Sequence, residues 1–122
     1  MLRRMLLAAL CALCAAPAAA QTKWPERPVK VVVPFAAGGP NDTVARLWVD
    51  RLSQALGQQF VIDNRGGASG MIGAEAAARS IPDGYTLLLA SSSTLGLVPL
   101  VAKTNFDPLK DFTPMARVGR SE

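Results

Sequence analysis

The sequence predicts an α/β fold built on a parallel sheet, because short apolar runs alternate with segments of helical periodicity. The order along the chain is strand, helix, strand, helix, strand. Parallel strands need a crossover between them, and each of the two helical segments is placed to provide one. Ligands of such sheets bind beyond the carboxyl ends of the strands, so a site is expected among the residues that follow each strand.

The first strand and the first helix organise the rest of the chain. An apolar run over residues 29–33 is followed, after a turn, by a helix from Asn41 to Leu56. Asn41 and Asp42 favour a helix start because their side-chain oxygens accept otherwise orphan amides, and Gly57 stands where a C-terminal cap belongs. One apolar stripe predicts the side of this helix that faces the core; it comprises Val44, Leu47, Trp48, Leu52, Ala55 and Leu56.

Two more strands and one more helix follow. Residues 60–64 predict a short second strand, and residues 71–79 predict a helix supported by a Glu75–Arg79 pair one turn apart. After a Pro-Asp-Gly turn, residues 85–90 form a continuous apolar run suited to the middle of the sheet. Weaker signals predict a short helix over 95–103, a compact turn over 106–112 and the start of a strand over 114–118.

The first 20 residues have the features of a secretory signal peptide. Arg3 and Arg4 precede an apolar segment, and a run of small residues ends in an Ala-x-Ala cleavage site before Gln21. We therefore expect an exported mature chain over residues 21–122, in which no other segment is long and apolar enough to cross a membrane. Cys11 and Cys14 both fall in the leader, so the mature chain holds no disulfide.

Composition restricts the chemistry that the mature chain can perform. The sequence contains no histidine, so without cysteine it cannot form a Ser-His or Cys-His pair or the usual zinc site. The net charge of +4 falls to +2 without Arg3 and Arg4, and the basic residues are scattered rather than clustered as on a nucleic-acid surface. We expect no catalysis, no cofactor, no metal and no nucleic-acid partner.

The turn after the first strand is the first candidate site. Small residues lead directly into a helix start, an arrangement that presents backbone amides and the positive end of a helix dipole to an anion. An ordinary tight turn with a capping Asp explains the same residues. The G-x-G-x-x-G dinucleotide pattern and the G-K-[ST] of a P-loop are both missing. The candidate ligand-binding residues of this turn are Phe35, Ala37, Gly38, Gly39, Asn41 and Asp42.

The residues after the third strand form the second candidate. They offer four hydroxyls to a carboxylate, although Ser/Thr-rich loops are often only solvated, and no G-x-S-x-G elbow marks a nucleophile. A glycine cluster over residues 66–73 either lines the same crevice or packs its helix against the sheet. Arg65 either pairs with a ligand carboxylate or holds neighbouring loops. The candidate ligand-binding residues here are Ser91, Ser92, Ser93 and Thr94.

Several motifs occur in one order between Lys23 and about Val118. They are Trp24-Pro25-Glu26-Arg27-Pro28, Val33-Pro34-Phe35 with Gly38-Gly39 and Asp42, Ala45-Arg46, Asn64-Arg65, Gly70 with Ile72-Gly73, Pro82-Asp83-Gly84-Tyr85-Thr86-Leu87, and Asp107-Pro108-Leu109-Lys110-Asp111-Phe112. Each motif is weak alone, but the ordered set is specific. It resembles the Bug family, the periplasmic solute-binding receptors of tripartite tricarboxylate transporters.

The resemblance implies the first lobe of a two-lobed, Venus-flytrap binding protein. Such a protein closes on a small organic acid and then engages the membrane subunits of its transporter. Family members recognise carboxylates through backbone amides, hydroxyls and bridging waters, in agreement with the two candidate loops. They are far longer, so this chain is expected to be a fragment that ends near the crossover between lobes. It departs from the family pattern at Gly66, Leu95 and Val98, where many members carry Pro, His and Asn.

These features predict a monomeric periplasmic solute-binding module for a small organic carboxylate. Two alternatives remain open. One is a non-functional remnant of such a receptor, and the other is an α/β enzyme that uses the first turn as an oxyanion or phosphate cradle. The lack of histidine and of cysteine in the mature chain argues against the enzyme.

Overall fold

The computed structural model describes residues 23–120 and shows the alternating α/β order that the sequence predicts. The strands are β1 (Val29–Val33), β2 (Phe60–Asn64) and β3 (Thr86–Leu88). The helices are α1 (Pro40–Leu56), α2 (Met71–Ala78) after a 3₁₀ turn (Ala68–Gly70), and a short α3 (Val98–Val101) after a π-helical turn (Ser93–Leu97). No helix within residues 23–120 is long and apolar enough to span a membrane. The predicted signal peptide lies outside the described residues.

The three strands form one parallel sheet in which β1 lies between β2 and β3. In its register, Val31 stands opposite Ile62 on one side and Leu87 on the other. β1 is buried at every position except Lys30, whereas all of β3 is half-buried. The prediction that the third strand takes the middle of the sheet is therefore wrong. An apolar run fits either position, because helices on both faces bury a parallel strand wherever it lies.

Helices cover both faces of the sheet. The odd-numbered valines of β1 form a core with Ala45 and Val49 of α1. Val32 points to the opposite face and is also buried. On that side α2 approaches the end of β1, where Gly73 packs directly against Pro34. The central strand is therefore enclosed between α1 and α2.

Helix α1 begins one residue earlier than predicted and without the predicted cap. Pro40 is its first residue, and Gly39 occupies the N-cap position in extended backbone with no side-chain hydrogen bond. Proline suits a first helical position because its fixed φ is already helical and it lacks an amide that would need an acceptor. The C-terminal cap is confirmed: Gly57 is left-handed, with φ 68°, and its amide donates to the Ser53 carbonyl at 3.0 Å.

The predicted core stripe of α1 is wrong in its first half. Val44, Leu47 and Trp48 are 40%, 66% and 44% exposed, whereas Ala45 and Val49 are buried. The second half is nearer to the prediction, since Leu52 and Leu56 pack against the core while Ala55 stays exposed. The helix is turned so that Ala45 faces β1, where its small side chain permits a close approach of helix and sheet.

The segment after β3 is mostly as predicted. Helical turns occupy residues 93–101, close to the predicted 95–103. The compact turn over 106–112 is also present, with Phe106 edge-on to Phe112 at a centroid distance of 5.9 Å and the Leu109 amide donating to Asp107. Residues 112–120 contain no strand. The strand predicted over 114–118 is therefore wrong, and the residues of that stretch are mainly exposed.

The lead-in before β1 is fixed at the amino end of the sheet by aromatic packing. Trp24 lies edge-on to Phe60 and tilted against Tyr85, both at centroid distances of 6.2 Å. The Arg27 guanidinium carbon is 3.9 Å from the Tyr85 ring centroid, and its Nη2 pairs with Asp83 at 2.7 Å. The Trp-Pro-Glu-Arg-Pro motif and the Pro-Asp-Gly turn therefore form one contact region, at the end of the sheet opposite to the candidate loops.

Candidate functional site

The loops that follow β1 and β3 meet at the carboxyl edge of the sheet, and Gly70 packs close to both. This glycine is buried and left-handed, with φ 89°. A β-carbon placed on it would stand 2.7 Å from the Thr94 Oγ1 and 3.4 Å from the Pro34 Cβ. Only glycine satisfies both the backbone conformation and the close contact. The two loops predicted to converge therefore both lie close to one residue, Gly70.

Hydrogen bonds fix the loop between β1 and α1 to the end of β2. The Asn64 amide nitrogen donates to the Phe35 carbonyl at 3.2 Å, and the Arg65 backbone amide donates to the Val33 carbonyl at 2.8 Å. At the tip of the loop, Gly38 is left-handed with φ 83°. Ala36, Ala37 and Gly38 are exposed. The loop thus presents its backbone to solvent while its base is held by β2.

The Asp42 carboxylate lies inside this loop and accepts three hydrogen bonds. Its Oδ2 receives the Gly38 amide at 2.9 Å and the Arg46 Nε at 2.8 Å, and its Oδ1 receives the Asn64 Nδ2 at 2.9 Å. The residue is 1% exposed. These donors, with Arg46 the largest contributor, lower the pKa of Asp42 to about 2 against burial, which acts to raise it. The carboxylate is therefore ionised at neutral pH, and both of its oxygens accept hydrogen bonds from the protein.

The first turn of α1 contributes the amides that the anion hypothesis needs. Thr43 donates its amide to the Gly39 carbonyl at 3.0 Å, which places the first helical hydrogen bond at that residue. The amides of Asn41 and Asp42 precede it, so the helix itself offers them no acceptor. The positive end of the helix dipole lies at the same place. Asn41 is half-buried and sits next to the exposed tip of the loop.

The hydroxyl loop after β3 is divided between internal and exposed groups. Thr94 is fully buried, and its Oγ1 lies 3.3 Å from the Ser69 carbonyl and 3.1 Å from the Ser91 Oγ. The Ser91 Oγ also lies 2.7 Å from the Ser93 Oγ. Ser92 and Ser93 are exposed. The buried Thr94 joins this loop to the glycine cluster, and the exposed hydroxyls stand toward solvent.

Three residues important to this geometry were not among the predicted site residues. Asn64 holds the first loop, Gly70 packs close to both loops, and Gly73 permits α2 to pack against the end of β1. The packing of Gly73 confirms the alternative in which the glycine cluster over residues 66–73 packs its helix against the sheet. For Asn64, the available signal is a polar residue at the end of a predicted strand. Arg65 pairs through Nε at 2.9 Å with Asp63, two residues earlier on β2, so this ion pair is local to its own strand. Within residues 23–120 there is no cluster of three or more acidic, His or Cys side chains that could hold a metal ion.

The chain matches one family and several curated proteins. Residues 44–122 match the family described as "Tripartite tricarboxylate transporter family receptor" (TctC). A UPF0065 protein of Bordetella bronchiseptica is 46% identical over 117 residues, which cover 95% of this chain and 35% of the relative. Protein BugT of Bordetella pertussis is 44% identical over 110 residues, which cover 86% of this chain and 32% of the relative.

Solved structures give the same picture. A structure described as a periplasmic transporter is 48% identical, with a TM-score of 0.69, over 71% of this chain and 30% of its own. MatC from Rhodopseudomonas palustris with bound malate is also 48% identical, with a TM-score of 0.69, over 75% of this chain and 31% of its own. The chain therefore spans about a third of the length of the proteins that it matches.

Proposed function

The chain belongs to the receptor family of tripartite tricarboxylate transporters, and from that premise we propose that it forms one side of a binding site for a small organic carboxylate. The proposed module is a portion of one lobe over residues 21–122, of a Venus-flytrap receptor. In the complete receptor a second lobe closes over the ligand, and only the closed form engages the membrane subunits. The proposed location is the periplasm, reached through the signal peptide over residues 1–20.

One observation carries the proposal: Gly70 packs close to both Pro34, at the end of β1, and Thr94, in the hydroxyl loop after β3, and so sets the loop that leads into α1 beside the hydroxyl loop. The two loops supply different donors to one region. Backbone amides at the start of α1 and hydroxyls of Ser92 and Ser93 both donate to carboxylate oxygens. In a parallel sheet with β1 at the centre, this is the crevice between strands whose connections diverge, the usual ligand position.

The donor set favours binding over catalysis. The proposed donors are neutral amides and hydroxyls, and the sequence supplies no histidine to activate a nucleophile. A carboxylate held by neutral donors is stabilised without an ion pair, which keeps the site able to release its ligand. MatC, a relative with 48% identity, holds malate, and another solved relative from R. palustris holds adipate. We therefore propose dicarboxylates of this size as ligands and a monomeric receptor as the form that binds them.

A thermal melt of the purified chain with malate and, separately, adipate tests the proposal. A ligand at about 100 times its dissociation constant adds roughly 2.7 kcal/mol to stability, a clear rise in Tm for a domain of this size. Replacing both exposed hydroxyls, as Ser92→Ala with Ser93→Ala, should reduce that rise. Ser80→Ala is the matched control, because this serine caps the far end of α2 by donating to the Ala77 carbonyl.

The outcomes separate the alternatives. A rise in Tm that the double variant reduces and the control variant keeps supports the carboxylate site. No rise with either acid, in a chain that melts cooperatively, contradicts binding by this chain alone and favours the remnant. A rise that both variants keep unchanged removes the hydroxyl loop from the site.

A further inference from the structure

Asp42 combines three features that the proposed ligand site does not itself require. Its side chain is fully buried, it is ionised, and both of its oxygens are engaged by donors from three different segments. Those segments are the loop tip at Gly38, the end of β2 at Asn64 and the next turn of α1 at Arg46. A buried carboxylate that accepts three hydrogen bonds from the protein, with at least one at each oxygen, holds the groups around it rather than a solute.

The position of this carboxylate makes it a poor contact for an anionic ligand. Two carboxylates at contact distance repel each other, and a donor shared with a ligand would be lost to Asp42. Arg46 offsets the charge through its Nε at 2.8 Å. Because the Asp42–Arg46 ion pair has no net charge, the electrostatic potential at the loop is set mainly by the backbone amides of the loop and of the first turn of α1. The charge of Asp42 is therefore compatible with an anion nearby but not in contact with it.

What Asp42 holds is the shape of the loop. Its bond from Gly38 closes a ring of five residues, 38 to 42, between the loop tip and the helix, at a glycine whose φ is 83°. Its bond to Asn64 orients that amide so that the same nitrogen also donates to the Phe35 carbonyl. Both ends of the exposed segment between Phe35 and Gly38 are thus tied to one side chain, directly at one end and through Asn64 at the other.

We propose that Asp42 is the positioning residue of the carboxylate site: it holds the loop after β1 in its ligand-binding shape before any ligand arrives, and it makes no contact with the ligand. The effect of Asp42 on ligand binding rests on the proposed function, whereas its effect on the shape of the loop does not. A loop already ordered when free loses less conformational entropy on binding, so its affinity is higher than that of a mobile loop with the same donors.

Hydrogen exchange and ligand affinity of two substitutions test this role. Asp42→Ala removes all three acceptors, and Asp42→Asn keeps the size but replaces one oxygen by a donor, so a fold-preserving variant is available. Ser53→Ala is the matched control. Its hydroxyl also lies on α1, donates to the Val49 carbonyl at 2.7 Å and accepts the Phe60 amide of β2 at 3.1 Å, but at the other end of the helix.

In the ligand-free chain, we expect the Gly38 amide to exchange about tenfold faster or more in Asp42→Ala, with a smaller increase in Asp42→Asn. In Ser53→Ala the faster amide should be Phe60, with Gly38 unchanged. At a temperature where all variants are folded, malate or adipate should bind Asp42→Ala about tenfold more weakly or worse, and Ser53→Ala as tightly as the unsubstituted chain.

The possible results of these measurements distinguish the positioning role of Asp42 from ligand binding by the chain. Unchanged exchange at Gly38 in Asp42→Ala overturns the positioning role, as does an affinity for malate or adipate equal to that of the unsubstituted chain. Faster exchange at Gly38 in a chain that binds neither acid even without substitution contradicts binding by this chain alone, and leaves Asp42 as the residue that shapes the loop. Equal loss of affinity in the Asp42 and Ser53 variants would reduce the effect to general stability and also overturn the role.

Discussion

Gly73 of α2 packs against Pro34 at the end of β1 so closely that a β-carbon on the glycine would lie 2.7 Å from both the Cα and the Cβ of the proline. The same β-carbon would be 2.8 Å from the Arg65 carbonyl oxygen. Two of these three atoms belong to the backbone, which cannot move aside as a flexible side chain can. The contact sets the distance between α2 and the central strand, and so the position of the Gly70 turn that precedes α2.

Gly73→Ala should therefore destabilise the fold. Alanine normally favours a helix interior over glycine by about 1 kcal/mol, but overpacking against backbone costs about 1–3 kcal/mol and should prevail. The expected result is a clear fall in Tm. Gly96→Ala is the control, because a β-carbon there would meet no atom within 4 Å. A Tm for Gly73→Ala at or above that of Gly96→Ala would contradict the close packing of α2.

Thr94→Val tests the buried hydroxyl that joins the two loops. Valine keeps the shape of the side chain but removes the bond to the Ser69 carbonyl and the contact with the Ser91 Oγ. Thr94 itself is fully buried, and a net loss of about 0.5–1.5 kcal/mol per hydrogen bond removed is expected, so the urea midpoint should fall. Ser92→Ala alters an exposed hydroxyl nearby and should leave the midpoint unchanged. Equal urea midpoints for the two variants would contradict a stabilising role of the Thr94 hydroxyl.

Local signals in the sequence were sufficient for the strand and helix order. β2 occupies the predicted residues 60–64, and Gly57 caps α1 as predicted, because strand bounds and glycine caps depend on neighbours along the chain. The rotation of α1 about its axis, by contrast, depends on contacts with residues far along the chain. Asp42, Ala45 and Val49 lie on one face of that helix and are all buried. A polar residue begins the inward face, so a pattern that counts only apolar residues selects the adjacent face, with Leu47 and Trp48.

The candidate site was predictable as a place but not as a set of contacts. Two loops at the carboxyl ends of parallel strands must share one edge of the sheet, so their proximity follows from topology. The bond from Asn64 to Asp42 joins residues 22 positions apart, and no local pattern records it. For the same reason the sequence predicts Asp42 as a ligand contact or a cap but does not predict its hydrogen-bond partners on the loop, on α1 and on β2.

Two neighbouring residues of α1 should respond very differently to truncation. Val49 is 8% exposed and belongs to the core, whereas Leu47 is 66% exposed. Val49→Ala should cost about 2 kcal/mol through lost burial and the cavity left behind. Leu47→Ala should cost less than about 1 kcal/mol, because little apolar surface is uncovered and alanine favours the helix. Urea unfolding measures both. A larger loss of unfolding free energy for Leu47→Ala than for Val49→Ala would mean that the core face of α1 is the apolar stripe predicted from the sequence.

Acid unfolding should reveal the buried carboxylate through the pH dependence of one variant. Asp42 has its pKa lowered from 3.8 to about 2 by Arg46, the Gly38 amide and Asn64. A lowered folded-state pKa means that the ionised form stabilises the fold, so its contribution is complete above about pH 4 and is lost as the pH falls toward 2. The urea midpoint of Asp42→Asn should therefore lie below that of the unsubstituted chain at pH 6, and the gap should narrow between pH 4 and pH 2.

Other acidic groups do not disturb this comparison. The pKa of Asp83 is lowered by the Tyr85 amide and that of Asp107 by the Leu109 amide, but both residues are present in the two chains and their effects cancel in the difference. Ser53→Ala is the control, because it changes no ionisable group. The difference in urea midpoint between this variant and the unsubstituted chain should stay constant from pH 6 to pH 2. A gap for Asp42→Asn that is equally constant from pH 6 to pH 2 would show that the carboxylate contributes no charge-dependent stability to the loop.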